Sequence, residues 1–407
     1  MDIREMLKQR RVFFDGGTGT LLQGYGLKPG EAPERFNITN PRDVTETHRL
    51  YLEAGSDIIT SNSLGAYTIN YPDARHLIEA AMENARNALA GGGGKIAFDM
   101  GPTGRFLKPA GDLGFEDCYN YFREAARAAV ECGADLIIIE TMTDLYELKA
   151  AALAAKETGL PVFATMTFDE RGRTLTGADP ACMAALLEGL GVDALGMNCG
   201  YGPGPYEKLL PELLTALPII LQPNAGLPVM ENGAARYDLP PEDYARYMSG
   251  MAERGVRVLG GCCGTTPAHI RAMVNLCAER NLIENAMEPP ALAPGAVVCS
   301  GVKSVRLDLG RLPSVARCKE TDPDGLADEA LELAETADIV EITVTEPDTV
   351  LAVQTLTRAP LSLRADDAEV LLAAARVYNG RPMVAGGPFP PDMENALKRY
   401  GAVKCPF

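Results

Sequence analysis

Two cysteines stand side by side in VRVLGGCCGTTPAHI, Cys262 and Cys263, framed by Gly260, Gly261 and Gly264. Adjacent thiols close only a strained disulfide ring, because bridge geometry needs converging Cβ vectors. A third thiol, Cys199 in GMNCG, ends another apolar run. Three thiolates converging on one point suit Zn²⁺, which takes sulfur ligands in a tetrahedron and keeps its fourth position open at catalytic sites. Neighbours in a regular strand point to opposite faces, so both members of the pair reach one ion only if the backbone leaves strand geometry. The flanking glycines provide that freedom. Packing as small buried residues, or a redox switch, are the competing roles for single or paired cysteines. They account poorly for three thiols at equivalent positions.

Other polar residues follow apolar runs in the same way: Asp15 in FFDGGTGT, Asn62 in ITSNSLGA, Glu140 in IIIETM, and Asn198 beside Cys199. Buried carboxylates need partners, and the amino group of a ligand would serve Asp15 and Glu140. The DGGTGT loop does not fit the dinucleotide pattern, but its backbone N–H groups can form an anion nest. His48, His76 and His269, the three histidines, fall inside helical patterns away from these positions. Packing or surface roles are expected for them, which leaves no histidine as ligand or general base at the site.

These residues need a scaffold that brings chain-distant points together. Eight strand candidates precede residue 262: 12–14, 57–60, 95–98, 135–140, 161–168, 193–198, 218–223 and 256–261. Amphipathic segments lie between them, among them 43–54, 115–132, 145–158, 205–216 and 241–254. Solid apolar strands that alternate with helices imply parallel pairing buried on both faces. Eight such units predict an α/β fold, a (β/α)₈ TIM barrel over 1–286, with functional groups at the C-terminal strand ends. Residues 287–296 read as a Pro-rich linker. Residues 297–407 read as a small α/β domain with strands at 304–309, 338–344, 360–364 and 382–387.

Of 407 residues, 38 are basic and 55 acidic, a net charge of −17. That balance argues against a nucleic-acid or anionic-membrane partner. The N-terminus carries charges where a signal peptide needs apolar residues, and no run is long enough to span a bilayer. A cytoplasmic, reducing location is therefore expected, with the ten cysteines as free thiols or ligands rather than bridges.

In order, DGGTGT, ITSNSLGAY, GPTGRFLKP, IIIETMTD, GMNCG and GGCCGTTPAHI resemble the zinc-dependent homocysteine S-methyltransferases over roughly residues 1–283. The likeness is strongest to the homocysteine-binding module of cobalamin-dependent methionine synthases. It implies that Cys199, Cys262 and Cys263 bind zinc. It further implies that Asp15 and Glu140 hold the substrate amino group, and that Gly16, Gly17, Thr18 and Asn62 hold its carboxylate end. Asn198 joins these substrate-binding candidates. SNSLGA departs from the family's TNTFGA and loses an aromatic beside the site. The implied reaction is attack of a zinc-activated homocysteine thiolate on a methyl group, giving methionine. The tail carries a fainter likeness to a truncated methyltetrahydrofolate-binding module, with Glu341, Thr343, Arg364 and Ala385 where that family places Asp and Asn. The cobalamin-binding pattern D-x-H-x-x-G is absent, so methyl-cobalamin would be supplied in trans by a separate corrinoid protein. S-methylmethionine or another sulfonium or ammonium donor is the alternative. A non-catalytic zinc-stabilised docking subunit is the alternative of another class. Packing, docking or homo-oligomerisation is expected of the tail.

Overall fold

The computed structural model describes residues 2–28, 30–90, 92–213, 215–231, 234–284, 297–307 and 312–405. The first strands in chain order are β1 (Val12–Phe13), β2 (Ile58–Thr60), β3 (Lys95–Met100), β4 (Leu136–Met142), β5 (Val162–Met166), β6 (Ala194–Cys199) and β7 (Ile219–Pro223). The hairpin arms β8 (Pro228–Glu231) and β9 (Ala234–Tyr237) follow, then β10 (Val258–Leu259). One parallel sheet orders them β1-β10-β7-β6-β5-β4-β3-β2. A bridge between Phe14 and Ile58 closes the ring. The eight βα units make the (β/α)₈ barrel.

Both faces of its strands are buried, which is why the sequence runs look solidly apolar rather than alternating. Val12, Phe14, Ile58, Ala97, Ile138, Phe163, Ala194, Ile220 and Val258 fill the interior. Ile3, Met6 and Leu7 of the helix Ile3–Gln9 join that cluster and plug one end. Alternate residues such as Phe13, Ile59, Ile137, Ile139 and Leu259 face the surrounding helices. Helix starts follow the sequence signals: Pro41, Pro180, Pro241 and Pro267 each open a helix, where the missing N–H costs nothing.

Two segments differ from the sequence expectation. The stretch at 205–216 forms only the helix Pro203–Leu209 and a 3₁₀ turn Leu210–Glu212, because Pro211 cannot extend an α-helix. Helix Leu145–Lys156 is buried on every face over Leu145–Ala155 rather than amphipathic. Its outer face is covered by the C-terminal domain.

That domain begins with an antiparallel pair, β11 (Val297–Cys299) and β12 (Ser304–Arg306). A parallel sheet follows in sequential order: β13 (Val315–Arg317), β14 (Ile339–Thr343), β15 (Leu361–Arg364), β16 (Met383–Val384) and β17 (Val403–Lys404). The candidate strand 304–309 thus pairs antiparallel outside the parallel sheet, and its residues 308–309 lie outside the described residues, as does the linker at 287–296. β13 and β17, three and two residues long, give no periodic signal of their own.

A buried lysine fastens the two domains. Lys149 Nζ donates to the carbonyls of Ala375 (2.8 Å), Tyr378 (2.7 Å) and Gly380 (3.2 Å). Burial pulls its pKa down to about 7, while three acceptors match the three protons of an ammonium group. Lys149→Met keeps the stem and leaves three buried carbonyls unpaired, a loss of about 2–4 kcal/mol. Denaturant unfolding should show an earlier or separate transition for the C-terminal domain, with the barrel transition unchanged.

Candidate metal centre and substrate cavity

β6 ends at Cys199, whose φ of 60° is left-handed. That conformation is strained for a residue with a Cβ and persists where its surroundings impose it. Tyr206 Oη donates to the Asn198 carbonyl (2.5 Å) and Asn224 Nδ2 to the Gly200 carbonyl (2.6 Å), so the turn is fixed on both sides of the thiol.

From β10 the chain leaves strand geometry at the vicinal pair. Gly261 N–H bonds to Asp15 O (2.9 Å), Cys262 N–H to Pro223 O (3.0 Å), and Cys263 O accepts from Ala225 N–H (3.0 Å). Gly264 has φ 80° and lies under Tyr237, where a Cβ would approach the ring at 2.1 Å. At Gly261 a Cβ would sit 2.4 Å from Thr265 Oγ1. One glycine is required by its φ, the other by close approach.

The outcome is convergence. The Sγ atoms of Cys199, Cys262 and Cys263 lie within 4.8 Å of one another, and Cys262 and Cys263 are 4.0 Å apart. A tetrahedral zinc with Zn–S bonds near 2.3 Å needs sulfurs about 3.8 Å apart, so the set fits that ion. A disulfide needs about 2.05 Å, and all three thiols are free. Hydrogen bonds from Cys199 and Cys262 hold the Cys263 thiol far down, at about 3, against its burial. Donation toward Cys199 and Cys263 pushes Cys262 well up, and burial adds to this. Tyr237 also hydrogen-bonds Cys263 and favours its thiolate. Binding a divalent cation requires the remaining thiol protons to leave.

The cluster faces a cavity of about 320 Å³. Asp15, Gly16, Gly17, Thr18, Asn62, Glu140 and the three cysteines line it together. Asn198 does not. It is fully buried, accepting from Thr141 N (2.8 Å) and Thr165 Oγ1 (2.8 Å) and donating to Thr141 Oγ1 (2.8 Å). Its Nδ2 stands 4.0 Å from Cys262 Sγ. Asn62 Nδ2 donates to Pro33 O at 2.7 Å. Asp15 accepts from Thr60 N (2.7 Å) and Thr60 Oγ1 (2.8 Å).

Among the described residues the cavity lining holds four carboxyls, Asp15, Glu34, Asp99 and Glu140, and no Lys, Arg or His. Burial raises Asp15 to about 7 against its Thr60 hydrogen bonds. Burial, then the charges of Asp15 and Cys199, raise Glu140 to about 8. Burial, then Glu140, Asp15 and Glu34, push Asp99 well above the carboxyl range. Its Oδ1 is buried without a partner. These acids lack a cation, and a substrate ammonium group is of the right charge and size.

Asp99 and Tyr237 were not among the sequence candidates. Asp99 was legible in principle: β3 runs to Met100, two residues past the apolar KIAF run, and an acid after an apolar run is the signal that marked Glu140. Tyr237 arrives on the β8–β9 hairpin, which has no pattern of its own. Among the described residues Asp99 makes no hydrogen bond that Asn would lose. Asp99→Asn should therefore fold at least as stably as the parent, while the KM for an amino-acid thiol rises about tenfold, or about 1.4 kcal/mol.

The sequence profile of the homocysteine S-methyltransferase family matches residues 12–277. Methionine synthase of Mycobacterium tuberculosis (strain ATCC 25618 / H37Rv) is 36% identical over 305 residues, covering 68% of this chain and 25% of that protein. Methionine synthase of Mycobacterium leprae (strain TN) is 35% identical over 307 residues, covering 69% and 25%. The chain thus spans about a quarter of the length of these relatives. The metallated homocysteine methyltransferase MmuM from Escherichia coli matches with a TM-score of 0.56 at 26% identity, over 65% of this chain and 96% of that one. Its oxidised form matches with a TM-score of 0.55. With its barrel, its three-sulfur cluster and a family match over residues 12–277, the chain belongs to the homocysteine S-methyltransferase family.

Proposed function

We propose that the chain is a zinc-dependent methyltransferase that methylates the sulfur of homocysteine, giving methionine, with the methyl group taken from methyl-cobalamin on a separate corrinoid protein. The observation that carries it is the three-sulfur cluster facing an acid-lined cavity. Cys199, Cys262 and Cys263 would hold the zinc, which when bound supplies a Lewis acid that keeps an incoming thiol deprotonated at neutral pH.

The protein's own groups bind and orient the substrate. Asp15 and Glu140, which titrate at about 7 and about 8 without a cation beside them, receive the ammonium group, whose entry favours their ionised forms. Gly16, Gly17 and Thr18 take the carboxylate end, and Asn62, whose amide donates to Pro33 O and Asn37 Oδ1, shapes the wall beside it. Asn198 holds the turn at Thr141 through its hydrogen bonds and keeps the cluster wall rigid. No histidine lines the cavity among the described residues, so the thiol proton leaves to solvent rather than to a resident imidazole. The free cysteines suit a reducing compartment such as the cytoplasm. No helix among the described residues is long and apolar enough to cross a membrane.

A second reading, with S-methylmethionine, betaine or a similar cation as donor, draws support from the same acid-lined cavity, which attracts positive charge. The test is a donor panel on zinc-loaded protein with homocysteine as acceptor. Methionine formed from methyl-cobalamin supports the first reading, and methionine from the sulfonium or ammonium arms alone supports the second. Zinc binding without homocysteine binding overturns both.

A further inference from the structure

We propose that the C-terminal domain carries a second ligand site, for a small multivalent anion, built from Arg317, Glu341 and Arg364 at the C-terminal edge of its parallel sheet. The three residues come from adjacent strands. Arg317 of β13 is in register with Glu341 of β14, and Arg364 ends β15 beside Thr343. They border a cavity of about 410 Å³, separate from the thiol cluster and lined also by Ala385 and Gly386. In open parallel α/β sheets, the crevice outside the carboxyl ends of the strands is where ligands bind.

The polar geometry favours an anion. Glu341 is buried, at 5% exposure. Its Oε1 pairs with Arg364 Nε at 3.0 Å and with Arg317 Nε, and its Oε2 faces Ser362 Oγ at 3.5 Å. Arg364 is thus anchored by a hydrogen bond from its inner N–H, and Arg317 by an ion pair at Nε. Among the described residues the terminal nitrogens of both arginines donate no hydrogen bond. The buried carboxylate holds both guanidinium groups at the opening, and two cations against one anion leave a local positive charge in a chain of net −17. Ala385 and Gly386 put no side chain across the opening. Paired guanidinium forks match the oxygens of phosphoryl and carboxylate groups. A neutral pterin ring calls instead for free side-chain amides and carboxylates at the strand ends, where this domain has Glu341 already paired with both arginines, and Thr343, Arg364 and Ala385.

Titration calorimetry on the full chain tests the site, with inorganic pyrophosphate and citrate as the phosphoryl and carboxylate arms. Both probes chelate zinc, so each titration is repeated on Cys199→Ala protein, whose response at this site should be unchanged. The expected result is one saturable site per chain in at least one arm, with a Kd of about 1 mM or tighter. Binding should weaken about tenfold or more in Arg317→Gln and in Arg364→Gln. Arg317 is largely exposed, so its variant folds whatever happens at Arg364. No saturable binding in either arm overturns the site, as does binding that both variants retain or that disappears with Cys199→Ala.

Discussion

Cys199→Ser should lose bound zinc and methyl transfer together. Purified parent protein is expected to carry about one zinc per chain and the variant close to none after brief exposure to a chelator, with activity down about 10³-fold or more, equivalent to about 4 kcal/mol of transition-state stabilisation. Serine is nearly isosteric, but its hydroxyl has too high a pKa to join two thiolates as an anionic ligand at neutral pH. Loss of an outer-shell partner alone typically costs 10–100-fold in metal affinity, and loss of a direct ligand costs more. The variant should still fold. The Cys199 turn is held by Tyr206 and Asn224 through backbone carbonyls, not through the sulfur, and the barrel core lies elsewhere. Metal analysis, circular dichroism and methionine formation on one preparation separate the outcomes. Zinc retained at the parent level would show that Cys199 is not a ligand. Zinc lost with activity intact would show that the metal is dispensable.

The thiol cluster could be read from sequence because it depends on residue identity. Three cysteines at strand ends can be placed once the strands are counted, and each βα unit announces itself by an apolar run and a helix start. What escaped depends on contacts between distant segments. Tyr237 reaches Cys263 on a hairpin whose arms are four residues each, too short for a pattern. The burial of helix Leu145–Lys156 follows from a domain more than 200 residues later in the chain, through Lys149 and the carbonyls around Tyr378. Asn198 looked like its neighbour in sequence. The strand's alternation puts it on the barrel-interior face with Ala194, yet its amide is taken up by Thr141 and Thr165 and does not border the cavity. Composition cannot separate a residue facing a cavity from one that supports its wall.

Asp15→Asn should exchange function for stability. In the folded protein burial raises Asp15 from 3.8 to about 7. Its stabilising contribution is therefore fully present below the unfolded value and is lost as pH rises through about 7, because the folded state holds a proton that the unfolded state has released. Over three units the ceiling is on the order of 4 kcal/mol, at 1.36 kcal/mol per unit. Asn carries no charge to desolvate. It can accept from Thr60 N–H through its oxygen, while the Thr60 hydroxyl turns to accept from its amide. Metal-free Asp15→Asn should therefore melt about 4 °C or more above the parent at pH 8, and about level with it near pH 4. Homocysteine binding should move the other way. On the proposed binding mode the parent would place a carboxylate on the ammonium group, in a cavity with no competing cation among the described residues. Removing that charge should weaken binding about 10²-fold, or about 3 kcal/mol. A thiol of equal length without the amino group, 4-mercaptobutyrate, should bind parent and variant alike, which isolates the ammonium contact from any disturbance of the metal centre. A variant that melts lower at pH 8, or that binds homocysteine as the parent does, would show that Asp15 is a structural acid and that the ammonium group is held elsewhere.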